Sequence, residues 1–482
     1  MNIFEYFKKK GIDTLDSSFY SKIDMWDSWY RSNVKRFHQY RVYHGASRYE
    51  RCRRKSLSMA KKLCEDISDL LLNEKVKITI EDQATDAFVK AVLEAANFTV
   101  RGSEYQERKA ACGTVAYVPY LTGMELDEDG RVISADVKLD YVVAKNIFPT
   151  AWENSRITEV IFVFEKTYKR KKYAQLQHHK LEPRKGANGE DLGLQYVIEN
   201  SVVLCSSGSG RELTPEEWNE IPHFEGLAAR VETGSDQPQF VIDKLNIANN
   251  VDEDDSSPMG ISLFANSVDT LAKLDLEYDS YANEFTLGRK RIFVAPEMLT
   301  DVNGSQVFDP DDSVFYQLPE DYFKDTREAM HEVNMALRVS EHEQAINNDL
   351  NLLSFKCGFG TQYYRFERGS VVTATQVISE SSDMYRTICK HEIILENALK
   401  ELIRCIIRLG QTANVPDLTP DTDITIDFDD SIIEDKQTER QEDRQDVAMG
   451  VMSPAEYRAK WYGETVEVAA SKIPDQSGGI LM

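Results

Sequence analysis

LNLLSFKCGFG TQYYRFERGSVV TATQVISESSDMYRTICKHEIILENALKELIRCIIRLG, residues Leu350 to Gly410, decides the architecture. The first block ends a helical pattern that begins at Val339 and stops at Lys356, with Val339, His342, Ile346, Leu350 and Leu353 on one side. Two glycines, Gly358 and Gly360, follow it. An aromatic and basic loop comes next, with Tyr363, Tyr364, Arg365 and Arg368. From Thr373 to Leu409 apolar residues then recur at spacings of three and four, among them Met384, Ile388, Leu395, Leu399, Leu402 and Ile406. That period marks a helix with one buried side. Thr373 and Gln376 fit a capping box, and Gly410 fits a left-handed helix end. At 1.5 Å per residue the helix spans roughly 57 Å. A helix of that length behind a Gly-bounded loop suits an assembly better than a compact enzyme.

Working outward, two helices bracket a small insert. The upstream one is expected over Ile261 to Phe285, with Ile261, Phe264, Leu271, Leu274, Tyr278 and Tyr281 on its apolar face. An acidic turn, Asp252 to Pro258, precedes it, and Arg289-Lys290-Arg291 suits its C-terminal dipole. Between 291 and 338 the pattern reads as strand Ile292 to Ala295, a turn at Asn303-Gly304, strand Val314 to Leu318, and a helix from Asp321 to Ala336. Residues 1 to 100 read mostly helical, including Ser47 to Leu72 and Asp82 to Asn97, with a strand at Val76 to Ile80. From Thr114 to Leu204 polar and apolar residues alternate, so an antiparallel sheet is expected, with Asp129-Gly130 as one hairpin turn. Beyond Gly410 come a Pro-rich turn, a strand at Ile424 to Phe428, and helices at Glu434 to Asp446 and Ser453 to Tyr462. The fold class is therefore α+β.

Composition narrows the function classes. The 482 residues are 41% hydrophobic, enough for a real core, and carry a net charge of −24. A protein that grips nucleic acid over its surface is basic, because binding runs on counterion release. Seven scattered cysteines with no CxxC pair suggest neither a zinc site nor a disulfide framework. No apolar run of membrane-spanning length occurs, and no membrane partner is expected.

Catalytic motifs are absent or incomplete. There is no GxxxxGK[ST] phosphate loop, no GxSxG elbow and no third glycine beside Gly358 and Gly360. His331-Glu332 and His391-Glu392 start like a zinc-hydrolase helix but lack the second histidine. Glu125, Asp127, Asp129, Gly130 and Asp136 fall at calcium-loop spacing. Their flanks are strands, and an Asp-Gly hairpin explains the same residues. A basic run, Lys35 to Lys62, reads as a solvated helix face or a subunit contact. No enzyme, cofactor or metal is expected.

The order of parts resembles the portal proteins of tailed bacteriophages, particularly long-tailed phages of Gram-positive bacteria. The segments that carry the resemblance are Leu337-Arg-Val-Ser-Glu-His-Glu-Gln-Ala-Ile-Asn347 with Leu350 to Gly358, and Thr373 to Glu380. Asn146 to Trp152 and Asp254 to Phe264 add to it. The resemblance implies a wing (1–257), a first stem helix (258–289), a clip (290–338), a second stem helix (339–356), a tunnel loop (357–372), a long wing helix with a strand (373–432) and a helical crown (433–482). It further implies a ring of about twelve subunits at one capsid vertex, assembled in the host cytoplasm and carried in the virion. Its implied partners are double-stranded DNA in the channel, the terminase motor, the major capsid and scaffolding proteins, and a head-completion or neck adaptor protein. Gly358, Gly360, Tyr363, Tyr364, Arg365 and Arg368 become candidate channel-loop residues. The competing classes are a phage maturation enzyme, protease or nuclease, and a DNA-binding adaptor. The first lacks a nucleophile or metal cluster, and the acid excess opposes the second.

Overall fold

The computed structural model describes residues 3–43, 49–73, 75–126, 132–186, 189–205, 210–254, 256–288, 291–294, 315–317, 330–333, 336–361, 363–364, 374–428, 436–462 and 465–473. The N-terminal part carries α1 (Ile3–Lys10), α2 (Ser17–Tyr30), α3 (Lys35–His38), a hairpin β1 (Gln39–Tyr43) and β2 (Tyr49–Arg53), and α4 (Met59–Leu71). Then come β3 (Lys77–Ile80), α5 (Gln83–Ala95) and α6 (Phe98–Cys112). The expected helix over Ser47 to Leu72 is therefore half right. Its first part is a strand, because Tyr49 to Arg53 pair with Gln39 to Tyr43, and the helix begins only at Met59.

The sheet region follows as β4 (Thr114–Leu126), β5 (Val132–Val143), β6 (Ile147–Glu153), β7 (Arg156–Tyr168), β8 (Lys171–Lys185) and β9 (Asp191–Cys205). Short β10 (Arg211–Glu212), α7 (Pro215–Asn219), β11 (Arg230–Glu232) and β12 (Val241–Lys244) complete it. The longer antiparallel sheet has the order β10-β9-β8-β7-β6, with β11 also on β9. A second sheet has the order β12-β4-β5. Asp129-Gly130 lies outside the described residues, but the two strands it joins are antiparallel as expected. Four consecutive residues of β7, Val160 to Val163, are all buried, so that strand is covered on both faces. A separate small cluster at the far end joins Tyr173 and Val202 to Trp218 and Phe224, beside α7 with its Thr214–Glu217 capping box.

After β12 the chain runs irregularly through residues 245–254 and 256–264. α8 (Val268–Leu287) starts later than the sequence suggests. Ile261 and Phe264 are buried, but in the core ahead of the helix; apolar spacing alone could not separate the two. The insert holds β13 (Arg291–Val294), β14 (Phe315–Gln317) and β15 (Met330–Val333). Here two expectations fail. β13 and β14 are parallel, not a returning hairpin, and β15 is a strand where a helix to Ala336 was expected. Antiparallel pairing of Met330 to Val333 with Arg291 to Val294 overrides the local helical spacing.

α9 (Val339–Lys356) matches its expected limits. α10 (Ala374–Thr412) does so at its start and runs past Gly410. Gly410 is not the left-handed end; Asn414, at φ +56°, is the left-handed residue there. Gly410 is instead where α10 meets α5: an added Cβ would lie 2.5 Å from the Phe88 ring and 2.7 Å from Leu418. Last come β16 (Ile424–Asp427), which pairs with β3, and α11 (Lys436–Met449), α12 (Pro454–Tyr462) and α13 (Val466–Ser471).

One hydrophobic core holds the wing together. The second half of α10 runs through it, with Ile388, Leu395, Leu399, Leu402, Ile403, Ile406 and Leu409 at 2% exposure or less. Beside it lies a buried ion pair. Lys109 Nζ sits 2.9 Å from Asp243 Oδ1, and Gln106 donates to Asp243 at 2.7 Å and to the Tyr117 hydroxyl at 2.8 Å. This network fixes α6 to β12 inside the core, where an unpaired charge would be costly.

Candidate functional site

α8 and α9 form the candidate stem. They lie antiparallel, since Lys273 meets Asp349 at 2.9 Å while Glu284, eleven residues on, meets Arg338 at 2.9 Å. Leu271 and Leu274 of α8, with Ile346, Leu350 and Leu353 of α9, are buried in the main core. Further out the pair is held mainly by charge. The Arg338 hydrogen bond holds the Glu284 carboxyl down at about 2, and His342 stands 3.7 Å away. Four large apolar side chains of the pair remain exposed: Leu276, Phe285, Leu352 and Phe355.

α8 is fixed to His38 and the segment 55–57 by two buried carboxylates one helical turn apart. Asp275 accepts from His38 Nε2 (2.9 Å), Ser56 Oγ (2.8 Å) and the Leu57 amide (2.8 Å). His38 Nδ1 accepts from the Val34 amide at 2.9 Å, so the network assigns the proton to Nε2. Asp279 accepts from the Lys55 amide at 3.0 Å and lies 4.0 Å from Arg54, whose guanidinium stacks on Phe37. Part of the basic run thus serves this joint. Lys61 and Lys62 pair with Glu107 and Asp66 at 2.7 and 2.6 Å. Sequence reasoning missed Asp275 and Asp279. Asp269, Lys273, Glu277 and Glu284 charge the same helix, so Asp275 and Asp279 did not stand out from it.

The loop leaves α9 through Cys357, with Gly358 at φ +84° and Gly360 at φ +79°. Gly358 is also pressed against α10, where an added Cβ would stand 2.7 Å from the Thr387 side chain. Thr387 lies thirteen residues into α10, so roughly 20 Å of that helix extends beyond the contact. Phe359 is buried. Tyr363 and Tyr364 pack on it with ring centres 5.0 and 5.7 Å away. The Tyr364 hydroxyl donates to Asp66 of α4 at 2.7 Å. Burial, with Asp66 adding to it, pushes the Tyr364 phenol far up, and burial takes Tyr363 to about 12. Tyr364 therefore ties this segment to α4. Arg365, Arg368 and the expected cap Thr373 lie outside the described residues.

Nothing among the described residues assembles a catalytic or metal centre. No group of three or more His, Cys, Asp or Glu side chains there could hold a metal. Burial raises the thiols of Cys112 and Cys357 to about 12 and that of Cys405 to about 11, which opposes a reactive thiolate. Glu125 and Asp136 sit on paired strands, and Glu125 accepts from Ser134. Asp127, Asp129 and Gly130 lie outside the described residues. His391 is buried and accepts from the Asn246 amide, while His331 lies in β15. No described helix is long and apolar enough to cross a membrane.

An antiparallel helix pair, a glycine exit and a long helix threading the core follow one another along the chain. The phage portal protein family, SPP1 Gp6-like, matches residues 10–470. This chain is a phage portal protein of that family. No curated protein matches the chain. The match spans the described helices and strands from α2 to α13, leaving out all of α1 but Lys10 and the last residue of α13. Membership places the protein among bacteriophage capsid, genome-packaging and head–tail connector components. The family is structural, not generally enzymatic.

Proposed function

We propose that about twelve copies of this chain close into a ring at one capsid vertex, forming the channel through which double-stranded DNA is packaged and later ejected. The observation that carries this reading is the family match over residues 10–470, joined to an antiparallel helix pair on which Leu276, Phe285, Leu352 and Phe355 are exposed among the described residues. In this reading α8 and α9 line the channel wall, and residues 357–372 form the tunnel loop. The insert 290–338 is the clip, where the terminase and then a neck adaptor dock. Residues 433–482 form the crown. Capsid and scaffolding proteins surround the wing, and assembly takes place in the host cytoplasm before the ring enters the virion.

The acid excess suits such a channel. A subunit of charge −24 repels the phosphate backbone and lets DNA slide, whereas a basic wall would hold it. A few loop cations, Arg365 and Arg368, then supply brief contacts. The test replaces both with Glu and counts DNA-filled heads beside ring yield. We expect rings at parental yield and fewer filled heads. Parental filling would remove the loop from the mechanism. Deleting Val302 to Asp312 tests the clip, and is expected to spare the wing fold and abolish packaging.

A further inference from the structure

A cleft of about 630 Å³ opens between the middle of α10 and the β12 edge of the three-stranded sheet. Among the described residues lining it, four are cations, Arg156, Lys244, Lys400 and Arg404, and one is a carboxylate, Glu401. Lys400 is matched by Glu396 at 2.6 Å, and Arg156 lies 3.6 Å from Glu401. The Lys244 ammonium meets only carbonyl oxygens, of Ser155 at 3.2 Å and Pro258 at 3.1 Å. Arg404 is exposed and has no carboxylate partner among the described residues. In a chain of −24 this is a local positive excess that the subunit itself leaves uncompensated.

The opposite side of the same layer carries the reverse charge. The sheet order β12-β4-β5 puts β5 at the far edge; α5 packs there, and β3 with β16 packs on α5. On this side Asp417, Asp421, Asp423 and Asp427 are all exposed; Asp427 stands opposite Lys77 across the β16–β3 pair, and no ion pair engages Asp417, Asp421 or Asp423 among the described residues. In β16 the alternation is strict: Ile424 and Ile426 face inward, and Asp427 faces out.

We propose that the cationic cleft of one subunit receives the aspartate edge, residues 417–427, of the next copy, so that this pairing is a repeating contact of the ring. The proposal rests on the ring reading above and names its interface. A closed ring needs two different, complementary patches on each subunit, placed so that each copy offers one and accepts the other. The cleft and the aspartate edge meet both conditions: opposite charge, and separate places, the cleft at the β12 edge of the three-stranded sheet and the aspartates on the antiparallel β3–β16 pair that α5 holds beyond its β5 edge. Charge complementarity of this kind also fixes register and suppresses wrong pairings.

The test uses the full chain in three charge-reversed forms: Arg156→Glu with Arg404→Glu, Asp421→Arg with Asp423→Arg, and all four together. All these side chains are exposed, so thermal melts of dissociated subunits should match the parent. Assembly is followed by sedimentation at about 0.1 M salt. Each double variant is expected to raise the half-assembly concentration roughly tenfold or more, and the fourfold variant to restore most of it. Parental assembly by either double variant would overturn the proposal, as would failure of the fourfold variant to recover. So would unchanged assembly with lost DNA retention by the cleft variant, which would make the cleft a nucleic-acid site. If the parent forms rings and the variants do too, only this interface falls. If the parent forms none, the channel reading falls and the pairing with it.

Discussion

The second half of α10 and the α8–α9 pair are both helical and both amphipathic, yet they are held in opposite ways. From Ile388 to Leu409, α10 is packed by sheet, α4 and α5, and one side of it is sealed, while Ile393 on its other side is exposed and Ile394 half-buried. The stem pair seals only one end. Beyond Leu274 and Ile346 the two helices are joined by Glu284 with Arg338 and by the Tyr281–His342 ring contact, and Asp275 and Asp279 tie α8 to residues 54–57; Leu276 and Phe285 on α8, and Leu352 and Phe355 at the core end of α9, are exposed. On the proposed ring reading, α10 carries the stability of the lone subunit, and neighbouring copies cover the exposed side chains of the pair.

The largest expected effect sharpens that contrast directly. Leu399→Ala, in the wing core, should cost about 2–5 kcal/mol in urea unfolding of the dissociated subunit. Phe355→Ala, a larger truncation on the stem, should cost less than about 0.5 kcal/mol there and instead lower ring yield. Equal costs at the two sites in the lone subunit would break the distinction.

The joint comes next. Asp275 offers two carboxylate oxygens to three donors, His38, Ser56 and Leu57. Asp275→Asn turns one oxygen into a donor and leaves a buried N–H or O–H without a partner, at about 1–3 kcal/mol. The loss should appear as faster proteolysis between Arg54 and Ser58 with the wing melt less affected. A wing melt that falls as far as in Leu399→Ala would show that the joint is part of the core.

These two regions also differed in how well the sequence announced them. α9 and α10 were legible because each carries a long run of three-and-four spacing; Gly358 follows the end of the first, whereas Gly410 lies inside the second. β8 was not: Lys171, Lys172, His178, His179, Lys180 and Glu182 mask its alternation, and only pairing with β7 and β9 reveals it. The start of α8 was misplaced because Ile261 and Phe264 continue its apolar period while belonging to the core ahead of it. β15 was read as a helix because its strand partner, β13, lies more than thirty residues away. For the candidate site, the turn at Gly358 was readable from residue type alone. That Tyr364 reaches Asp66, and that Asp275 binds His38, depend on elements about two hundred or more residues apart, which no local pattern encodes.

A smaller effect separates the regions by pH. His179 of β8 is fully buried between Phe162 and Phe240, with no hydrogen-bond partner for either ring nitrogen. Burial, with His178 adding to it, holds it down at about 3, and burial holds His391 down at about 3 as well. The unfolded chain binds these protons first, so the contribution is complete above about pH 6.5 and is lost as pH falls toward about 3. His179→Met should flatten the acid side of the wing's stability curve by up to about 1.4 kcal/mol per pH unit. An unchanged slope would mean that the imidazole is not the group being protonated.

Hydrogen exchange on assembled rings and on dissociated subunits tests the central distinction most directly. The account predicts slow exchange for the α10 amides from Ile388 to Leu409 in both states, and slow exchange for α8 and α9 beyond Leu274 and Ile346 only in the ring. Stem amides as protected in the lone subunit as those of α10 would contradict it.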